Sequence, residues 1–120
     1  MIKFLVLFTI ISCTTKYVVE ASCYNPVEEQ TSEHFNITAS GKLINVEDPL
    51  THRYIAVSRD LEALGFTMGS KVIVSNAHPY NGEWTVEDRM NSRWTLKIDF
   101  LVGTEDYIHK WDSVVIKLKD

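Results

Sequence analysis

A small, mostly β domain is what this sequence predicts, on three observations. Short runs rich in Val, Ile, Thr and aromatic residues recur along the chain, and Gly-, Pro- and Asn-containing turns separate them. Only two stretches read as helix, each of one or two turns. With 120 residues the chain is long enough for one domain and not for two. About six short strands at this spacing argue for a small barrel rather than a sandwich.

The elements follow in order. Tyr17–Tyr24 is β-rich and is stopped by Asn25-Pro26. Residues 27–36 are acidic and polar and read as a loop, and residues 37–41 as a short strand entering a turn at Gly41. Residues 45–52, with Asp48-Pro49 among them, form a second loop. Tyr54–Val57 is a compact apolar run, as in a buried strand. Residues 59–64 suit one or two helical turns, with Gly65 as the stop. Lys71–Ser75 is a strand, residues 76–82 are a turn with Pro79 and Asn81-Gly82, and that Asn-Gly pair favours a tight hairpin into the alternating residues 83–88. Residues 96–102 alternate and then turn apolar. Residues 105–109 read as a helical turn capped by Thr104, and residues 113–118 as the last strand.

Composition excludes several classes. Hydrophobic residues are 45% and charged residues 23%, ordinary for a globular chain and too apolar for disorder. Net charge is −4, and with no Lys/Arg-rich stretch a nucleic-acid surface has no electrostatic support. Two cysteines cannot build a disulfide framework, so packing must hold the core. His34, His52, His78 and His109 are scattered without metal-ligand spacing, so neither a metal nor a cofactor is expected. No nucleophile motif is present, and Cys23 reads as a small buried hydrophobe.

The N-terminus is distinct. Lys3 precedes the apolar residues 4–11, a run too short to span a bilayer and patterned like a secretory signal. It ends in Ile10-Ile11-Ser12-Cys13, which resembles the bacterial lipobox. The expected organisation is a signal over residues 1–12, lipidation at Cys13, a tether over 13–17 and the barrel over 18–120. That places the protein in the cell envelope, anchored to a membrane, with a monomer as the expected state. Two alternatives stay open: an ordinary signal that happens to end near Cys13, and a cut after Ala21, which would sever the first strand.

Two carboxylates stand out. Asp99 lies between Ile98 and Phe100, and an acid in low-dielectric surroundings has a raised pKa suited to donating a proton near neutrality. Asp88 ends the preceding strand, eleven positions earlier. If those strands are neighbours, both acids sit near one end of the barrel. The other reading has Asp99 facing solvent and Asp88 merely starting a turn. Among the aromatics, Trp94 lies between the two acids and could offer its face to a sugar ring, whereas Trp84 reads as core. Arg89 and Arg93 could meet carboxylates as bidentate donors.

Three stretches together resemble the three-aspartate (3D) domain, a double-psi β-barrel related to membrane-bound lytic transglycosylase A and shared with rare lipoprotein A and the expansins. They are Thr38-Ala39-Ser40-Gly41, then Tyr54-Ile55-Ala56-Val57-Ser58 with Leu61 to Gly69 and Val72-Ile73-Val74, then Val86-Glu87-Asp88 with Lys97-Ile98-Asp99-Phe100. The resemblance implies a six-stranded double-psi barrel that binds or cleaves peptidoglycan. It implies Asp99 as general acid/base, with Asp88 supporting it. Because the muramic acid C6 hydroxyl is the attacking group in such enzymes, no second carboxylate nucleophile is required. The chain departs from the pattern at Ser58, where the family has an aspartate, with Asp60 two residues on. Ser58, Asp60, Trp94, Arg89 and Arg93 are the expected substrate-binding residues. The bulkier residues 89–94 replace a glycine-rich loop, which keeps glycan binding without cleavage, or a purely structural lipoprotein, as alternatives.

Overall fold

The computed structural model describes residues 15–27 and 35–120. The expected signal, Cys13 and the start of the tether lie outside the described residues, as does His34. Among the described residues six strands form: β1 (Tyr17–Tyr24), β2 (Tyr54–Val57), β3 (Lys71–Ser75), β4 (Gly82–Arg89), β5 (Lys97–Leu101) and β6 (Trp111–Leu118). One short helix, α1 (Arg59–Ala63), and a 3-10 turn (Pro49–His52) complete the regular structure of the described residues. The strands close into a barrel in the order β1-β5-β2-β4-β3-β6, with β6 returning to β1. Pairs β1·β5 and β2·β4 are parallel and the other four are antiparallel. Closure leaves no free sheet edge.

Period-two alternation decides which side chains fill the barrel. Val19 and Ala21 of β1, Ile55 and Val57 of β2, Val72 and Val74 of β3, Ile98 and Phe100 of β5, and Val114 and Ile116 of β6 all point into the core. Trp84 is fully buried at its centre. The indole N–H donates to the Tyr80 carbonyl at 2.7 Å, and the ring packs on Phe100 at 4.8 Å between centroids. The Arg53 guanidinium lies 4.2 Å over the same ring. Its fork donates to the carbonyls of Glu83 and Asn81 at 2.9 and 3.0 Å, and partial burial lowers its pKa. Leu61 of α1 is also fully buried, and Gly65, at φ 110°, ends the helix where a side chain would be strained.

Five local expectations change. Strands β4 and β5, read as possible neighbours, are separated by β2. The turn expected over residues 76–82 does link β3 to β4, but with Val74 paired to Gly82 it is longer than the tight hairpin that Asn81-Gly82 favours. Asn81 closes that loop with its side chain, whose oxygen accepts the Ala77 N–H at 2.7 Å. Residues 37–41 make only a single bridge, Ile37 to Leu43, because Thr38 folds the chain back on itself. Its hydroxyl accepts the Lys42 N–H at 3.0 Å. Thr104 caps no helix: the Asp106 carboxylate accepts the Gly103 N–H at 2.7 Å and closes a turn instead. The 3-10 turn at Pro49–His52 lies in what reads as loop, where proline at its start presets φ.

The core makes one prediction. Trp84→Ala removes the largest fully buried side chain and should lower the unfolding free energy by about 3–5 kcal/mol. Urea denaturation of wild type and variant measures it, and a loss below about 1 kcal/mol would mean the indole is not the centre of the core.

Candidate functional site

The candidate site lies on the outside of the barrel, across β1, β5, β2 and β4. On β5 the inward positions are Ile98 and Phe100, so Lys97 and Asp99 face outward. On β1 the outward positions include Ser22 and Tyr24, and on β2 Ala56. Asp88 reaches this face by a different route. Simple alternation from Trp84 and Val86 would turn it into the core. The β2·β4 register shifts, however, pairing Ile55 with Val86 and Ala56 with Asp88, so Glu87 is an extra residue. That bulge puts Asp88 on the outer face. Ala56 also pairs with Asp99 on its other side. The two acids therefore flank one small residue.

Their surroundings differ. Asp99 is mostly buried, and burial raises its carboxyl above the ordinary value. A hydrogen bond from the Ser22 hydroxyl at 2.5 Å and the charge of Lys97 oppose the rise, and the charge of Asp88 adds to it. Asp88 is held as an acceptor on both oxygens. It takes the Tyr24 hydroxyl at 2.9 Å, the Ala39 N–H at 3.1 Å and the Arg89 N–H at 2.9 Å. Burial and then the neighbouring Asp88 push the Tyr24 phenol well above its ordinary value, so it stays a donor. The turn at Thr38 exists locally because Gly41 takes φ 92° and the Thr38 backbone closes on Lys42. Ser40 N–H on the Glu87 carbonyl then docks the turn on the bulge. Burial also pushes the Cys23 thiol, which points toward the core, up to about 11, a poor nucleophile near neutrality.

Both acids open into a groove of about 610 Å³, a size suited to a ligand of several rings. Phe35, Ile37, Met90 and Trp94 give it apolar walls, and Arg59, Arg89 and Arg93 give it cations. The Arg89 fork is engaged by Glu62 through two bonds of 2.7 Å, and those bonds lower the Glu62 carboxyl. Trp94 is half-buried, with Arg93 at 5.0 Å and the Lys97 ammonium at 3.8 Å over its ring.

Of the residues expected at the site, the structure brings together Asp88, Asp99, Arg89, Arg93 and Trp94. It leaves out Ser58 and Asp60. Ser58 is fully buried, and its hydroxyl accepts the Lys97 N–H at 3.0 Å. Asp60 accepts the Leu96 N–H at 2.9 Å. Burial works to raise the Asp60 carboxyl, but bonds from Ser58 and the Leu96 backbone outweigh it and hold it below the ordinary value. Both residues fasten the entrance of β5 and do not line the groove. Sequence reasoning missed Ser22, Tyr24, Arg59 and the Ala39 N–H. The alternation of Ser22 and Tyr24 against buried Val19 and Ala21 carried the signal for the first two. Among the described residues no cluster of His, Cys, Asp and Glu could hold a metal ion, and no helix is long and apolar enough to cross a membrane. No family model, curated protein or solved structure matches this chain.

The raised Asp99 carboxyl fixes the sign of a pH effect. Its protonated form is favoured by folding, so its contribution to stability is full below the ordinary value of 3.8 and is lost as pH rises through the raised folded value. Unfolding free energies of wild type and Asp99→Asn, measured from about pH 3 to about pH 7, should show wild type losing ground to the variant as pH rises. A difference that is flat, or that favours wild type at higher pH, would contradict the assignment.

Proposed function

We propose that the groove holds a cell-wall glycan and that Asp99 is the general acid/base of a peptidoglycan lytic transglycosylase-like reaction. The observation that carries the reading is the contrast at Ala56: one buried, raised carboxyl and one carboxylate held by three donors, opening into the same groove. Paired acids in unlike environments divide into proton donor and charge stabiliser. Asp99 gives its proton to the glycosidic oxygen as the bond to the anomeric carbon breaks. Its carboxylate then takes the proton of the muramic acid C6 hydroxyl as that oxygen bonds to the anomeric carbon. The acid is regenerated and no water is consumed. Asp88 steadies the oxocarbenium-like charge between the steps.

The closed six-stranded barrel is compatible with the double-psi barrel of the three-aspartate domains, and the acid spacing and the Thr38-Ala39-Ser40-Gly41 turn support that assignment. Under this reading Trp94 stacks on a sugar ring, and Arg59 and Arg93 meet peptidoglycan carboxylates. Lipidation at Cys13 would keep the barrel at a membrane in the cell envelope, within reach of the wall.

One observation favours a second reading, in which the groove binds glycan without cutting it. Ser58 stands where the resembled family has an acid, and it is buried and uncharged. A single digestion separates the two. Incubated with purified peptidoglycan, the wild-type domain should release anhydro-muropeptides, and Asp99→Asn should reduce release at least ~100-fold, as loss of a general acid does. Equal release from both proteins removes Asp99 from the chemistry. Co-sedimentation with insoluble peptidoglycan that Trp94→Ala abolishes, without soluble product, would assign the binding reading instead.

A further inference from the structure

We infer that Trp94 acts on Asp99 through Lys97, the indole ring holding the lysine ammonium away from the carboxyl, so that Lys97 is a positioning residue for the acid. Ile98 points into the core, so Lys97 and Asp99 lie on the same outer face, two positions or roughly 7 Å apart along the strand. A lysine side chain spans that distance easily and has two places to put its charge. In this structure the ammonium is 3.8 Å from the Trp94 ring centroid. Among the described residues no ion pair joins it to Asp99. The same ring carries the Arg93 guanidinium at 5.0 Å, so Trp94 gathers the cations at that side of the groove.

The arrangement has a consequence for ligand binding. A cation over an indole face occupies the surface on which a sugar ring would stack. A ligand that takes the ring frees the ammonium, and Asp99 is the carboxyl on the same outer face of β5. The lysine charge already weighs against the rise in the Asp99 carboxyl from its place on the ring, and a closer approach would weigh more. The other titratable and charged groups that line the groove with Asp99 are Tyr24 from β1, Asp88 and Arg89 from β4, Arg59 from α1, and Arg93 from the loop after β4; Cys23 of β1 lies on the core side of its strand. The use of this coupling in catalysis rests on Asp99 being the proton donor. The coupling itself can be read without any substrate, so its failure and the failure of glycan cleavage are distinguishable.

The test is a carbon-detected NMR titration of the Asp99 carboxyl in the full chain. Lys97→Met should raise the midpoint by about half a pH unit or more. Trp94→Leu, which releases the ammonium, should lower it by a similar amount, and Trp94→Tyr should fall between wild type and Trp94→Leu. The deciding comparison is Trp94→Leu in the Lys97→Met background. There the drop should shrink to less than half its size. A drop equal in both backgrounds would mean that Trp94 acts by excluding water or by holding Arg93, and not through Lys97. An unmoved midpoint in Lys97→Met would overturn the inference outright.

Discussion

The register of β2 against its two neighbours is the constraint on which the candidate site depends. Ala56 pairs with Asp99 of β5 on one side and with Asp88 of β4 on the other. A slip of one residue in either pairing would send a carboxylate into a core built from Trp84, Phe100, Ile55 and Val57. The bulge at Glu87 is what makes both pairings compatible with inward-facing Trp84 and Val86. The residue at the centre is also small, which leaves space between the acids that a larger side chain on β2 would fill. The barrel thus spends regular pairing at one point to turn a core-phase position toward solvent.

From that register the electrostatics follow. Asp99 arrives on a strand whose neighbours are buried, and it receives one hydroxyl donor, from Ser22. Asp88 arrives at a bulge, and it receives the Arg89 N–H from its own strand, the Ala39 N–H from the Thr38 turn and the Tyr24 phenol. The same face therefore holds one carboxyl short of donors and one well supplied. The Thr38 turn matters for this reason and not as a strand: it delivers the Ala39 N–H. Ser58 and Asp60 serve the same architecture from below, fixing the Lys97 and Leu96 N–H groups where β5 begins.

Much of the fold was legible because strand periodicity is local. The runs at Tyr17–Tyr24, Tyr54–Val57 and Lys71–Ser75 are strands with the bounds the sequence suggests, and the short helix after Ser58 stops at Gly65. Trp84 reads as core and is core. What was not legible depends on side chains replacing backbone in turns. Asn81 and Asp106 close loops with their own oxygens, so a tight hairpin and a helical cap written from dipeptide rules do not form. The order of strands was equally hidden. Asp88 and Asp99 meet across β2 and not by direct adjacency, and no local pattern announces a bulge at Glu87 or a parallel pairing that lays Ser22 beside Asp99.

The central claim is that Asp99 is a partly desolvated acid in electrostatic contact with Asp88 across Ala56. Its most direct measurement is the pH titration of the Asp99 carboxyl carbon in wild type and in Asp88→Asn. The account predicts a wild-type midpoint above the ordinary aspartate value of 3.8 and a lower midpoint once the neighbouring charge is gone. A midpoint at or below that value, or one that ignores the substitution at Asp88, would contradict it.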